Sequence, residues 1–268
     1  MALKDITLGQ YFPGNTVVHR LDPRVKLIFV VLYIIALFLA KHLLCYAVLI
    51  AVLVICVAIS RIKPRALFKG LKPVVFLVVI TGLLNLFYTA GDPIWQWWFL
   101  KITVEGIWAA LFMILRIIML ICCTFLLTYT TSPIMLTDGL ERLLSSLKKI
   151  RVPVHELSMM MSIALRFIPT LIEETDKIMS AQRARGADFD TGNLFQKAKA
   201  LVPLLVPLFV SSFRRADELA VAMECRCYHG GDGRTRLKEL HYTGTDVCVL
   251  IGSVLLCVGI GVLRRFGL

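Results

Sequence analysis

Apolar residues crowd into five stretches along this chain, and the segments between them are short, basic or amphipathic. A helix needs about 20 residues, at about 1.5 Å each, to cross a hydrocarbon core of about 30 Å. Residues 27–59 are almost continuously apolar, interrupted only at Lys41 and His42. That run is too long for one helix and predicts two short ones, at 25–41 and 43–60, with Lys26 and Lys41 snorkelling at the ends of the first. Further spans are predicted at 73–90, 106–128 and 244–263.

Between the fourth and fifth spans the pattern changes to a helical period with polar faces. "TTSPIMLTDGLERLLSSLKK" opens with Ser132 placed to cap and Pro133 in the first turn, and its leucines form a stripe. After Pro153, apolar residues recur by threes and fours from Leu157 to Met179, and this helix is expected to kink at Pro169 and end at Gly186. A third helix begins near 194, carries "LVPLLVPLFV" (201–210) with kinks expected at Pro203 and Pro207, and runs to about Tyr228. The stretch "HGGDGRTR" then reads as a loop. The fold class is an all-α membrane protein of about five spans, with a domain of long amphipathic helices inserted before the last. Residues 1–130 hold the N-terminal segment and four spans, 131–243 the inserted domain, and 244–268 the last span.

Composition supports a membrane chain: 58% of residues are hydrophobic and the mean hydropathy is +0.78, against about 45–50% apolar in soluble domains. The net charge of +12 could suggest nucleic acid, but its distribution argues against that partner. "RIKPRALFKGLK" (61–72) carries five cations and no acid between two spans, as a cytoplasmic loop does. The tryptophans of "IWQWWF", Trp95, Trp97 and Trp98, suit the opposite interface. The N-terminus, which shows no signal peptide, the 61–72 loop and 131–243 are therefore expected in the cytoplasm of a cell-membrane protein, and Arg264 and Arg265 fall outside against the rule.

Six of the eight cysteines lie in apolar runs, and Cys225 and Cys227 lack a second ligand pair at zinc-like distance, so no metal site is expected. No phosphate-binding G-x-x-x-x-G-K-[ST], no H-E-x-x-H and no G-x-S-x-G occurs, which excludes ATP hydrolysis by this chain and argues against an enzyme. Arg116, near the middle of the fourth span, is costly there. It is either a structural arginine bonded to carbonyls or a coupling or substrate residue. A stand-alone secondary transporter or channel is the rival, but such proteins bind substrate through broken helices or intramembrane charge pairs, and Arg116 has no carboxylate at its depth.

Two helix ends share a design. Arg185 lies between Ala184 and Gly186, and Arg226 between Cys225 and Cys227. Each arginine either complements its helix dipole or, with small neighbours, enters a groove and forks onto a partner's carboxylate or carbonyls.

"HRLDPRVKL" (19–27), Thr130 with "TSP" (131–133), "AQRARG" (181–186) and "LVPLLVPLFVSSFRRADELAVAMECRCY" (201–228) together resemble the transmembrane T component of energy-coupling factor (ECF) importers, the family that includes the membrane subunit of cobalt and nickel versions. The resemblance implies a scaffold joining two cytoplasmic ABC-type ATPases, where ATP and Mg would be bound, to a membrane-embedded S component that binds a vitamin or other micronutrient. It places ATPase docking at Ala184, Arg185 and Gly186 and at Cys225, Arg226 and Cys227. The second motif has cysteines where Ala and Gly are expected, so the ease of glycine at positive φ is lost and the way that helix ends is left open. S-component contact falls on apolar surface: Leu201, Pro203, Leu204, Leu205, Pro207, Leu208 and Phe209, with Met159, Met160 and Met161 either repacking there or serving as ordinary core. Asp22, Pro23, Arg24 and Arg116 are expected to be structural.

Overall fold

The computed structural model describes residues 11–89, 93–97, 100–145, 152–187, 189, 193–230 and 240–266. Trp98, most of the 229–236 loop and the first ten residues lie outside the described residues. The described residues fall into two compact units, one within 9–142 together with 240–268 and one within 143–239.

In the first unit a short turn of helix, α1 (Val17–Arg20), leads into α2 (Pro23–Leu39). Asp22 starts α2 by accepting the Arg24 backbone N–H at 2.8 Å, with Pro23 preset for the first turn. Helix α3 (Leu43–Ser60) returns and ends on Arg61, which takes a left-handed conformation at φ 54°.

The basic 61–72 segment, expected as a loop, contains a helix, α4 (Pro64–Leu71). Pro64 seeds it, and Leu67 is buried while Arg65 and Lys69 stay in solvent, so amphipathic burial orders this stretch. A 3-10 turn at Lys72–Val74 joins α4 to α5 (Val75–Tyr88). A short antiparallel hairpin of β1 (Pro93–Trp97) and β2 (Leu100–Thr103), with Gln96 opposite Lys101, follows within the otherwise all-α bundle. Helix α6 (Val104–Thr130) is capped by the Thr103 hydroxyl, which accepts from the Gly106 N–H at 3.0 Å. A Cβ at Gly106 would lie 2.8 Å from the Leu86 carbonyl, so glycine is what lets α6 approach α5 this closely.

Helix α7 (Pro133–Leu144) starts under the Ser132 cap and packs on the start of α2, where a Cβ at Gly139 would sit 2.9 Å from that of Pro23. Helix α10 (Gly244–Phe266) closes the unit. The core collects Tyr33, Leu37, Cys45, Tyr46, Met119 and Ile260 from α2, α3, α6 and α10. Among the described residues, four helical segments are long and apolar enough to cross a membrane: Leu43–Ser60, Pro64–Tyr88, Val104–Thr130 and Gly244–Arg265. At 17 residues, α2 is shorter than these.

The second unit is an antiparallel pair, α8 (Val154–Ala184) and α9 (Leu194–Glu224). Each stays one continuous helix through its prolines, Pro169 in α8 and Pro203 and Pro207 in α9. Pro207 has no N–H to give the Pro203 carbonyl four residues back. The Gln182 side-chain amide of α8 donates to that carbonyl instead, at 3.4 Å. Further along the pair, Glu174 accepts from the Ser211 hydroxyl and from the Arg215 guanidinium at 2.8 Å.

Candidate functional site

The two arginine tips terminate in the same way. At the end of α8 the Gly186 N–H reaches the Arg183 carbonyl at 3.0 Å, and the Ala187 N–H reaches back to Gln182 at 3.0 Å. At the end of α9 the Cys227 N–H reaches Glu224 at 2.8 Å, and the Tyr228 N–H reaches Met223 at 3.1 Å. Both are the paired closure of a helix by a left-handed residue, Gly186 at φ 87° and Cys227 at φ 55°. How the second helix ends is therefore answered: cysteine takes the glycine conformation. Arg185 and Arg226 occupy the same position, one residue before the reversal, and both are exposed.

Because α8 and α9 run antiparallel, their C-terminal tips lie at opposite ends of the pair. Gln182 meets Pro203, and Arg226 lies 23 residues beyond Pro203 in sequence, about 35 Å along a helix axis. Between the tips, Ser211 first and then Arg215 hold the Glu174 carboxyl below the usual carboxylate range. That clamp escaped sequence reading, since polar residues off an apolar stripe look merely solvated.

The predicted apolar surface divides. Leu204 is buried, whereas Leu201, Leu205 and Phe209 are exposed, at 60% for Phe209, together with Pro203; Pro207 and Leu208 are intermediate. Met160 and Met161 are also exposed, while Met159 is half-buried. Ordinary core packing therefore does not describe Met160 or Met161.

In the first unit Asp22, Pro23 and Arg24 form a junction. The Arg24 guanidinium forks onto the Asp22 carboxylate at 2.7 Å, donates to the Leu240 carbonyl at 3.1 Å and stacks over Tyr242. The Asp22 N–H donates to the buried Asp246 carboxylate at 2.9 Å, and Asp246 also accepts from the Thr243 N–H at 2.8 Å. Lys26, expected to snorkel, is buried instead, because its ammonium finds three oxygens: the carbonyls of His19 and Thr130 at 3.2 and 3.0 Å and the Thr131 hydroxyl at 3.2 Å. Sequence reading missed Lys26 and Asp246 as partners; the available signal was an acid in the first turn of an apolar span.

His19 donates from Nε2 to the Phe12 carbonyl at 3.1 Å, and its Nδ1 pairs with the Thr16 hydroxyl 2.7 Å away. Burial lowers its pKa, and the charge of Lys26 adds to that. Arg116 donates to the Ala40 carbonyl at 3.3 Å and the Tyr46 hydroxyl at 2.9 Å, so it satisfies the turn between α2 and α3. Among the described residues no group of three His, Cys, Asp or Glu side chains comes together to hold a metal.

With this geometry in view, comparison with known proteins is specific. The cobalt transport protein family CbiQ matches residues 14–237. The chain is 56% identical over 261 residues to the energy-coupling factor transporter transmembrane protein EcfT of Clostridium kluyveri, covering 96% of this chain and 97% of that one. It is 54% identical over 247 residues to EcfT of Ruminiclostridium cellulolyticum, covering 92% of each. It is likewise 54% identical over 265 residues to EcfT of Thermosediminibacter oceani, covering 98% of this chain and 99% of that one. The chain belongs to this family, as a non-catalytic, membrane-embedded T component of an ECF-type ABC transporter.

Proposed function

We propose that the ends of α8 and α9 are the docking points through which two cytoplasmic ATPases drive this T component. A T component couples ATPase activity to movement of an S component. ATP and Mg belong to the ATPases, and Arg185 and Arg226, with Ala184, Gly186, Cys225 and Cys227 beside them, enter one groove on each. One observation carries this reading: two helices of different sequence end in the same hydrogen-bonded reversal, with an exposed arginine at the same position, at opposite ends of an antiparallel pair. A dipole cap would serve anywhere in the last turn, whereas a repeated geometry suits two equivalent grooves.

The apolar surface of α8 and α9, with Met160, Met161, Leu201, Leu205 and Phe209 exposed, meets a membrane-embedded S component, and the cargo is a vitamin or other micronutrient bound there. The bundle crosses the membrane five times, with the N-terminus and the coupling-helix domain of residues 131–243 in the cytoplasm. The bonds from Lys26 to Thr130 and from Asp22 to Asp246 support this topology, because they gather the start of α2, the end of α6 and the start of α10 at one end. Such gathering requires those ends to share a membrane face. At about 25 Å, α2 covers most of the hydrocarbon core.

The test is co-purification of wild type, Arg185→Glu, Arg226→Glu and the double variant with the ATPase pair encoded by the same organism. The double variant should insert normally and lose both ATPases, and each single variant should lose one docking point. Equal recovery of the ATPases with all four chains would overturn the docking reading.

A further inference from the structure

The first unit contains two neighbouring cavities that docking of ATPases or of an S component does not use. The larger, about 1020 Å³, opens between the segment preceding α1 and the end of α3. Its rim carries Arg61 and Lys63, and its wall adds the polar side chains of Asn15, Thr16 and His19. Both cations are exposed, and among the described residues neither has a carboxylate partner. Arg61 is held at positive φ, so the reversal that ends α3 presents its side chain at this rim.

The smaller cavity, about 140 Å³, is almost wholly apolar and runs among α1, α2, α3, α6 and α10, past Phe29, Cys56, Leu126, Leu127 and Val249. Val17 and Ile59 line both cavities. A cation-rimmed chamber of mixed polar and apolar walls thus adjoins an apolar crevice inside a membrane bundle. A soluble phosphate would have no use for the crevice, and an uncharged lipid would have none for the two cations at the rim.

We propose that this pair of cavities is a binding site for one anionic phospholipid, its phosphodiester headgroup held by Arg61 and Lys63 and the start of an acyl chain laid in the crevice behind Val17 and Ile59. The remaining cations of the segment, Arg65, Lys69 and Lys72, do not line the chamber. They attract anionic lipid generally, whereas Arg61 and Lys63 hold one molecule. This gives the 61–72 segment a function beyond setting topology.

The test uses the purified full-length chain, stripped of lipid in detergent and titrated with palmitoyl-oleoyl phosphatidylglycerol, the matching phosphatidylcholine, or glycerol 3-phosphate, with bound molecules read by native mass spectrometry. Phosphatidylglycerol should bind at least about tenfold more tightly than phosphatidylcholine, since each basic group near the surface strengthens binding about fivefold. Arg61→Gln with Lys63→Gln should weaken phosphatidylglycerol by about 30-fold, the product of two such factors. Arg65→Gln with Lys69→Gln removes equal charge that does not line the chamber and is screened from a lipid bound there, so it should change binding by less than about threefold.

Equal losses in the two pairs would reduce the effect to diffuse attraction, and no loss in either would remove the site; both overturn the proposal. So would glycerol 3-phosphate competing as well as the lipid. A measurement independent of any variant is photolabelling of wild type by phosphatidylglycerol carrying a diazirine on its acyl chain. Label should concentrate on peptides containing Phe29, Leu126 and Val249. Label spread over exposed faces such as Phe76 and Leu77 of α5 would sink the idea.

Discussion

Exchanging the two reversal residues isolates the backbone contribution to the arginine tips. A Cβ added at Gly186 meets nothing within 4 Å, so Gly186→Ala changes conformational preference and little else. A left-handed conformation costs an L-residue about 1–2 kcal/mol, while replacing glycine recovers about 0.4–1 kcal/mol by restricting the unfolded chain. The net expectation is a loss of about 1 kcal/mol at the α8 tip, or about a fivefold rise in local opening. Cys227→Gly reverses the argument at φ 55° and should stabilise the α9 tip by a similar amount, about 1 kcal/mol.

The reporters are the N–H groups of Ala187 and Tyr228, which make the long closing bonds to Gln182 and Met223. Residue-resolved deuterium exchange on the full chain should show Ala187 exchanging about five times faster in Gly186→Ala and Tyr228 about five times slower in Cys227→Gly. Because Arg226 is untouched, Cys227→Gly should recover ATPases as well as wild type. Unchanged exchange at Tyr228 would refute the claim that cysteine is strained there, and loss of ATPases would show that the cysteine side chain itself is read.

Replacing Asp246 by Ala leaves the buried Asp22 N–H unpaired and removes the acceptor for Thr243; unfolding in detergent should show a loss of about 2–4 kcal/mol, with much of it retained in Asp246→Asn. Arg116→Met orphans the Ala40 carbonyl and the Tyr46 hydroxyl at a cost of about 1–3 kcal/mol, yet uptake by assembled complex in vesicles should persist; a stable variant without uptake would restore the coupling role. His19 favours its neutral form in the folded state, so its contribution is complete above the ordinary value of about 6.5 and is lost as pH falls from there toward the depressed folded value. Melting temperature should drop over that window in wild type and lose this dependence in His19→Gln. Glu174→Gln should cost the α8–α9 pair no more than about 1 kcal/mol, because its bridge to Arg215 is partly solvated; a larger loss by exchange along α8 would mean the clamp is buried more deeply.

Periodicity in the sequence announced the four long apolar segments, the long amphipathic helices and the helix ends at Arg185 and Arg226, because those features are local. What it hid depends on distant partners. Asp22 finds Asp246 from 224 residues away, and Lys26 is buried by oxygens at the end of α6, so a residue assigned to the interface belongs to the interior. Pro203 and Pro207 read in sequence only as two kinks, and nothing local shows that Gln182 of another helix supplies a donor to the Pro203 carbonyl. The α4 helix hid behind its charge: five cations in twelve residues outweighed a single buried leucine. The aromatic strands at 93–97 were absorbed into an interfacial segment, since tryptophan serves both roles.

The two units also differ in what fixes them. At the junction of α2, α6 and α10, Asp22, Lys26 and Asp246 are each at most 5% exposed and bonded to named backbone or hydroxyl partners. Hydrogen bonds are directional, and a buried group left unpaired costs about 1–3 kcal/mol, so the junction has one geometry and resists small displacements. The α8–α9 pair relies on a partly exposed ion pair and a long amide contact, beside an apolar crevice lined by Ile163, Phe167 and Leu171 of one helix and Leu219 and Met223 of the other. Apolar contact is non-directional, and methionine adapts to a changed neighbour at little cost. Displacement along that seam exchanges one set of apolar contacts for another without orphaning a buried polar group. A coupling subunit needs both properties, one part that holds its shape in the membrane and one that can be displaced, and the chain places the buried bonds of Asp22, Lys26 and Asp246 in the first and the Met159–Met161 run in the second.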